Sequence, residues 1–307
     1  MSGGKRAIAV GGLFLAGLAI SAALQVATRP RAARARDGER SIPAAGPQRI
    51  IALAPNVTES LFALGAAEQV VAVGDFCFYP PEAKERPRVG GEFNPNFERI
   101  LALRPDLLIV QGVAEKVEDF GQRYGMRILH VDMDSIETIC AGLLELGRAV
   151  GREAAAERLA ARLKLDLAKV AYRVAGRARP KTLLCMGHRA GSLLGLSTVN
   201  GKSFLSQALE VAGGANVFAD LEQPYPPFSK ETLLRRRAEA VIELHPGETI
   251  SDGERQRLLA DWGSLPSLPA VRDGRVYILT EDYLLLAGPR VAKTAERLAE
   301  VLHPEAR

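Results

Sequence analysis

Residues 96–109 read NFERILALRPDLLI, and residues 229–242 read SKETLLRRRAEAVI. The two stretches align without a gap at an offset of 133 residues. They share an acidic residue at the third position, aliphatic residues at the fifth and sixth, an arginine at the ninth and an acidic residue at the eleventh. An internal repeat with so long a period predicts two similar lobes, because solenoid proteins repeat much shorter units.

Each copy of the repeat has the pattern of a capped helix followed by a buried strand. Asn96 and Ser229 are residue types favoured at the N-cap. Glu98 and Glu231 fall in the first helical turn, where the helix dipole favours a negative charge. Pro105 ends the helix of the first copy, because the residue before a proline avoids the helical conformation. The aliphatic residues at the end of each copy then predict a strand.

Short apolar runs alternate with helical patterns in both halves of the chain. Beyond the repeat, strands are predicted at residues 49–53, 70–74, 127–131, 182–186 and 276–279, and helices at 203–212 and 290–302. A further helix is predicted to begin with Asn56 or Thr58 as its N-cap and to end at Gly65. Strands that alternate with helices form parallel sheets covered on both faces. We therefore predict an α/β fold of two lobes, each with a mainly parallel sheet.

The region between the two lobes is helical almost throughout. A break near Gly151 separates two helices, and the second carries Leu163, Leu167 and Val170 at three- and four-residue steps. This pattern predicts one long amphipathic helix as the spine of the molecule. The predicted boundaries are residues 48–134 for the first lobe, 135–178 for the helical linker and 179–307 for the second lobe.

An apolar segment lies near the N-terminus. Lys5 and Arg6 precede 20 residues, 7–26, without a charged side chain, which predicts a signal peptide or a membrane anchor at residues 1–27. Residues 28–47, rich in Arg, Ala and Pro, predict a flexible linker. The positive-inside rule opposes export, because more basic residues follow the apolar run than precede it. We still expect export to a periplasmic or extracytoplasmic location, with cleavage and anchoring both open.

The net charge of +4 comes from the N-terminal residues. Residues 1–40 hold seven basic and two acidic residues, so residues 41–307 carry a net charge of −1. A nearly neutral body gives no electrostatic reason to expect nucleic acid as a partner. Cys77, Cys140 and Cys185 lie far apart and form no CxxC pair, so we expect them near the core and predict neither a disulfide framework nor a zinc site.

Several short motifs occur in the order found in one known family. They are RIIALAPNVTE at residues 49–59, YPP at 79–81, VGGEFNPNFERI at 89–100, NGKS at 200–203, GGANVF at 213–218 and PPFSKE at 226–231. With these motifs, residues 48–302 resemble the iron-siderophore, haem and cobalamin group of periplasmic substrate-binding proteins, and they are most similar to its cobalamin-binding branch. The resemblance implies two α/β lobes joined by one rigid helix, with the ligand held in the cleft.

The resemblance also implies a role for the repeat. In the family, one glutamate on each lobe docks onto arginines of the membrane permease, and the matching positions here are Glu98 and Glu231. The implied partners are an ABC permease and its ATPase at the inner membrane. We expect a monomer that binds a small molecule and has no resident cofactor.

The loops after the strands are the expected ligand site, because ligands of open α/β sheets bind beyond the carboxyl ends of the strands. An aromatic cleft suits a flat macrocycle, since ring stacking and apolar burial need few precisely placed polar groups. In the cobalamin-binding branch, aromatic side chains line the cleft. The positions that the resemblance places there are Phe76, Glu92, Phe93, Gln111, Tyr225 and Tyr283.

Two further residues are candidates for ligand binding. Arg290, after Gly288 and Pro289, could meet a carboxylate or amide group of a ligand. His188 follows a predicted strand on a glycine-containing loop, so it could coordinate the cobalt of a corrinoid or the iron of haem. Trp262, the only tryptophan of the chain, is expected to pack in the core.

The leading hypothesis is a non-enzymatic solute-binding component of an ABC importer that captures a cobalamin-like corrinoid and delivers it to the permease. A ferric siderophore or haem is the alternative ligand. Two other classes remain open. One is a membrane-anchored sensor that delivers its ligand to no permease. The other is a metal-dependent enzyme that uses His130, His188, His245 and Asp282, although their spacing matches no metal-ligand pattern.

Overall fold

Eight short strands form two parallel sheets in the computed structural model, which describes residues 48–112 and 114–306. The first sheet contains β1 (Ile50–Ala52), β2 (Val70–Val73), β3 (Leu107–Gln111) and β4 (Ile128–Val131), in the order β2-β1-β3-β4. The second contains β5 (Lys181–Met186), β6 (Ala215–Asn216), β7 (Ala240–Leu244) and β8 (Val276–Leu279), in the order β6-β5-β7-β8. The two sheets have the same topology, which confirms the predicted fold of two parallel α/β lobes.

Helices cover the sheets and connect the lobes. The α-helices of the described residues are α1 (Pro55–Ala63), α2 (Phe97–Ala102), α3 (Glu115–Tyr124), α4 (Ile136–Val150), α5 (Glu153–Arg173), α6 (Phe204–Val211), α7 (Lys230–Arg236), α8 (Asp252–Trp262), α9 (Pro269–Arg272) and α10 (Val291–Leu302). The strands and helices predicted outside α1 agree with these bounds to within two residues. Strand β6 was missed because two residues are too few to show a periodic pattern.

The two copies of the repeat form equivalent structures, α2 with β3 in the first lobe and α7 with β7 in the second. The side chain of Asn96 accepts a hydrogen bond from the backbone N of Arg99, and that of Ser229 accepts one from Thr232. Both helices are followed by an arginine in the left-handed conformation, Arg104 at φ 47° and Arg237 at φ 54°. These are the only non-glycine residues with positive φ in the described part of the chain.

The shared acidic residue at the eleventh position of the repeat has a structural role in both lobes. The Asp106 carboxylate accepts hydrogen bonds from the backbone N atoms of Gln48 and Arg49, at 2.9 and 3.1 Å. The Glu239 carboxylate accepts one from the backbone N of Lys181 at 2.9 Å. Each acid therefore ties the start of β3 or β7 to the start of the neighbouring strand in the same sheet.

The predicted start of α1 is wrong. The helix begins at Pro55, and its N-cap is Ala54, whose methyl side chain cannot accept a hydrogen bond. Proline suits the first helical position because its fixed φ is helical and its missing N–H has no partner to lose there. Asn56 and Thr58 are buried inside the helix, and the Asn56 amide donates instead to the carbonyl of Ala287 at 2.9 Å.

The helices α4 and α5 give the two lobes a common core. They meet at Gly151, which adopts φ 70°, and α5 runs for 21 residues. Its buried residues Leu163, Leu167 and Val170 belong to one apolar cluster that also contains Ile109 of β3 and Ile242 of β7. The lobes therefore share a continuous apolar core through these helices.

The predicted signal peptide or anchor at residues 1–27 and the linker at 28–47 lie outside the described residues. Within the part of the chain that the structure describes, no helix has the length and apolar character needed to cross a membrane.

The helix caps of the repeat should be equivalent in strength. Asn96→Ala and Ser229→Ala are each expected to lower the free energy of unfolding by about 1 kcal/mol, because each removes an acceptor for a backbone N–H at a helix start. The measurement is urea unfolding followed by circular dichroism. In the control, the caps are exchanged as Asn96→Ser and Ser229→Asn, which should leave stability nearly unchanged. An equal loss in the exchanged variants would contradict the capping role.

Candidate functional site

A cavity of about 540 Å³ lies between the two lobes. The first lobe contributes Glu92, Gln111 and Asp134, and the second contributes residues that include Lys202 and Tyr225. Gln111 is the last residue of β3, and the other lining segments follow strands of the two sheets. The cavity therefore lies beyond the carboxyl ends of the strands, where a ligand site is expected in open α/β folds.

The charged side chains that line the cavity are mainly acidic. Glu92, Asp134 and Glu222 face a single basic side chain, Lys202. The Glu92 Oε1 atom accepts a hydrogen bond of 3.3 Å from the backbone N of Gln111, whose side-chain amide lies 3.4 Å from Asp134 Oδ1. Burial raises the pKa of Glu92, and the hydrogen bond from Gln111 opposes that shift in part.

Exposed aromatic side chains surround this acidic lining. Tyr225 lines the cavity and is 60% exposed, while Phe76 and Phe93 are 69% and 88% exposed. Phe93 lines a smaller cavity of about 340 Å³, which shares Glu92 and Gln111 with the larger one. The Phe76 ring reaches to 3.7 Å from the position that a Cβ atom would take at Gly91, next to Glu92. Large apolar side chains that gather at one open surface are typical of binding sites.

Five of the predicted ligand residues thus lie at or beside the two cavities. Glu92, Gln111 and Tyr225 line the larger cavity, Phe93 lines the smaller one, and Phe76 lies against Gly91. Their roles in binding remain predictions. Burial and the nearby charge of Asp134 raise the pKa of the Tyr225 phenol, so this group is neutral at physiological pH.

Arg290 is not the open ligand contact that was predicted, and the predicted role of Tyr283 in binding stays a prediction. Tyr283 is half-buried, packs against the main apolar core and does not belong to the described lining of the larger cavity. Arg290 is only 8% exposed, and its guanidinium donates to Glu59 Oε2 at 2.9 Å and to Asp282 Oδ1 at 2.8 Å. This arginine already pairs with carboxylates of the protein.

The proposed coordination of cobalt or iron by His188 is also wrong. Only 1% of its side chain is exposed. The Nδ1 atom lies 2.6 Å from Glu243 Oε1, and Nε2 lies 3.1 Å from Asp261 Oδ2. Since both ring nitrogens are hydrogen-bonded to carboxylates, neither is free to bind a metal centre in the cleft.

Glu243 is the centre of a buried polar network in the second lobe. Its Oε1 atom also lies 2.8 Å from His245 Nε2, and its Oε2 atom accepts a hydrogen bond of 2.7 Å from Trp262 Nε1. Trp262 is fully buried in the apolar core, as predicted. Burial alone would raise the pKa of Glu243, but hydrogen bonds from His188 and Trp262 lower it below its usual value.

The hypothesis of a metal-dependent enzyme gains no support. His130 lies on β4 of the first lobe, with Nδ1 2.8 Å from the Gly112 carbonyl, whereas His188 and His245 belong to the Glu243 network of the second lobe. Asp282 pairs with Arg290. Within the described residues, no group of three or more His, Cys, Asp or Glu side chains has the arrangement of a metal site.

Three charged residues of the cavity were missed by the sequence analysis, namely Asp134, Lys202 and Glu222. Lys202 belongs to the motif NGKS, but the motif itself gave no sign that the lysine faces the cleft. Asn200 in this motif accepts hydrogen bonds from the backbone N atoms of Lys202 and Ser203, which shapes the turn before α6. This turn brings the lysine to the cavity.

Stability should depend on pH through His188. Burial lowers the pKa of His188, but the carboxylates of Glu243 and Asp261 outweigh burial and raise this pKa above its ordinary value of 6.5. The stability contributed by protonated His188 is complete below pH 6.5 and is lost as the pH rises through the folded-state pKa. We expect urea unfolding between pH 6 and 9 to show this loss in the wild type and in His130→Asn, but much less of it in His188→Asn. The same pH dependence in His188→Asn would contradict the assignment.

Comparison with known proteins agrees with this architecture. A family model described as periplasmic binding protein matches residues 50–283. The vitamin B12-binding protein of Salmonella typhimurium is 31% identical over 256 residues, which covers 83% of this chain and 90% of the relative. The protein of the same name from Pectobacterium atrosepticum is 28% identical over 263 residues, covering 83% of this chain and 88% of the relative.

Solved structures of similar proteins have the same fold. The periplasmic vitamin B12-binding protein of Vibrio cholerae has a TM-score of 0.70 at 25% identity, covering 85% of this chain and 98% of that chain. A periplasmic haem-binding protein from Pseudomonas aeruginosa has a TM-score of 0.74 at 27% identity, covering 85% and 94%. The family match over most of the chain, the two-lobed fold and the cavity between the lobes lead to one conclusion: this chain belongs to the periplasmic binding protein family.

Proposed function

We propose that this protein is the solute-binding component of an ABC importer and that it captures a cobalamin-like corrinoid between its two lobes. The observation that carries the proposal is the cavity between the lobes, which combines the exposed Tyr225 ring with carboxylate and amide groups and has Phe76 and Phe93 close by. Relatives named vitamin B12-binding protein match the chain over nearly their whole length. The family of binding proteins also supports a periplasmic location.

The chemistry of the cleft suits a corrinoid. Such a ligand has a broad, flat macrocycle with neutral amide side chains at its edge. Ring faces of Tyr225 and Phe76 can stack on the macrocycle. The carboxylates of Glu92, Asp134 and Glu222 can accept hydrogen bonds from ligand amide N–H groups. The Lys202 ammonium can donate to an amide oxygen or to the phosphate of the nucleotide loop.

Haem is the alternative ligand, and the similarity to a haem-binding protein favours it. Haem carries two negative propionate groups, which three cavity carboxylates repel and one lysine attracts. A tyrosine binds ferric iron as the phenolate, but burial and Asp134 raise the pKa of Tyr225 and disfavour that form. Both effects support an uncharged macrocycle over haem. Anionic ferric siderophores meet the same repulsion.

Delivery to a permease is the second part of the proposal. Glu98 and Glu231 are exposed, lie in the first turns of α2 and α7, and make no ion pair with another described residue. Each of these helices returns the chain from the carboxyl edge of its sheet to the next parallel strand, so its N-terminus lies on the cleft side of its lobe. Two exposed carboxylates on the cleft side suit docking onto basic residues of a permease.

Ligand identity is tested by calorimetric titration of the purified protein with cyanocobalamin, with haem and a ferric hydroxamate in parallel. We expect submicromolar binding of cyanocobalamin and about tenfold weaker binding for Tyr225→Ala and for Phe76→Ala, since each loses about 1.4 kcal/mol of stacking and burial. Tyr172→Ala removes an exposed tyrosine of α5 that does not line the cleft and should bind normally. Saturation by haem with a Soret band, and no heat from cyanocobalamin, would overturn the corrinoid proposal.

Docking is tested by uptake of labelled cobalamin in cells. The double variant Glu98→Ala/Glu231→Ala should bind cobalamin normally but lose most of the uptake, because it lacks the carboxylates proposed to meet the permease. The control is Glu137→Ala/Glu153→Ala, which removes exposed acids from the first turns of α4 and α5. Normal uptake with the first double variant would contradict docking and favour a sensor without a permease.

A further inference from the structure

Arg290 forms a buried ion pair that crosses from the second lobe to the first. It immediately precedes α10, and its Nε atom donates to Glu59 Oε2 of α1 at 2.9 Å. The exposed fractions of the two side chains are 9% and 4%. The Nη1 atom of Arg290 also donates to Asp282 of its own lobe at 2.8 Å, which fixes the guanidinium on the second-lobe side.

The same guanidinium contacts the aromatic loop of the first lobe, residues 74–80. Its central carbon lies 3.7 Å from the centroid of the Tyr79 ring, a close cation–π contact. Phe76, three residues earlier in this loop, has its ring beside Gly91 at the cleft. Arg290 therefore connects the segment that carries Phe76 to the second lobe.

A second contact between the lobes lies at the wall of the cavity. The Asn56 amide of α1 donates to the carbonyl of Ala287 at 2.9 Å, and both residues line the cavity. Gly288 lies so close to Asn56 that a Cβ atom at Gly288 would be 3.3 Å from the Cβ atom of Asn56. Asn56 and Glu59 lie on the same helix, so the polar contacts of Asn56 and Arg290 form one seam between α1 and residues 282–290.

The seam resists separation of the lobes for a physical reason. A buried ion pair that loses one partner leaves the other as an uncompensated charge in an apolar environment. Movement of residues 282–290 away from α1 would break the Glu59 pair, the Tyr79 contact and the Asn56 hydrogen bond together. The seam adds polar contacts to the apolar core, which also contains Val57 of α1 and Leu284 and Ala287 of the second lobe.

We propose that Arg290 is a positioning residue for ligand capture. It holds the Phe76 loop of the first lobe and residues 285–287 of the second lobe at a fixed spacing, so the cleft is formed before the ligand arrives. The inference rests on the proposed function for the identity of the ligand, and its physical consequence is a restraint that exists without ligand. A preformed cleft avoids the affinity lost when only part of the population is competent to bind.

The test uses the full chain with one spin label on each lobe, at Gln122→Cys on α3 and Gln256→Cys on α8. Both positions are exposed, whereas the three native cysteines are buried and do not take up label. The test variant is Glu59→Leu/Arg290→Met, which removes both buried charges and leaves neither unpaired. The matched control is Glu281→Leu/Arg297→Met, which removes an ion pair of 2.6 Å within the second lobe.

The distances between the two spin labels show whether the Arg290 ion pair restrains the lobes. The wild type and the control should give one narrow distance distribution that saturating cyanocobalamin does not change. The test variant should give a broad distribution that cyanocobalamin narrows, and its Kd for cyanocobalamin should rise at least tenfold. A narrow distribution in the test variant, or an unchanged Kd despite a broad one, overturns the proposal.

Two further measurements test the proposal even if the double variant does not fold or the wild type does not bind cyanocobalamin. If the double variant does not fold, Tyr79→Leu retains both charges and should still broaden the distribution, and a wild-type distribution for it overturns the proposal. If the wild type does not bind cyanocobalamin, the proposed corrinoid function is wrong. The distance distributions of the ligand-free proteins still show whether the ion pair restrains the lobes.

Discussion

The apolar core that α4 and α5 share with both lobes is the feature on which the rest of the structure depends. Leu163 and Val170 of α5 share one buried cluster with Ile109 of the first sheet and Ile242 of the second. Because residues of both sheets belong to one core with these helices, the loops at the carboxyl ends of the strands open into one cavity. The core therefore determines where the cavity lies, and it brings the loops of the two lobes together although they have no regular secondary structure.

Two buried ionic groups interrupt this apolar interior, and they have different consequences. Glu243 binds partners that all belong to the second lobe, so its network affects mainly the stability of that lobe. Arg290 binds Glu59 across the cleft, so its pair constrains the relation between the lobes. Buried ion pairs are weak evidence for stability in general, because hydrophobic replacements often serve as well. Their position in the fold decides what they can control.

Local patterns predicted the fold, whereas contacts between residues far apart in sequence explain why His188 and Arg290 are not open ligand contacts. N-caps and aliphatic periodicity are encoded within a few residues, which is why α2, α7 and their strands were found from the sequence. His188 is 55 residues from Glu243, and Arg290 is 231 residues from Glu59. No single-sequence pattern links residues so far apart, so both side chains were interpreted as free. The predicted start of α1 was wrong for a local reason, because Pro55 begins the helix with Ala54 as its N-cap, before Asn56 and Thr58.

The two copies of the repeat agree in their helices and differ at the ends of their strands, where the cavity begins. At the offset of 133 residues, Glu98 and Glu231 have the same place in their helices. The ends of the equivalent strands differ, because Val110 corresponds to Glu243 and Gln111 to Leu244. The first lobe thus ends its strand with an amide in the cavity, and the second ends it beside a buried carboxylate network. Duplicated acids suit a partner with two equivalent docking sites, whereas a cleft with unlike walls suits an asymmetric ligand that binds in one orientation.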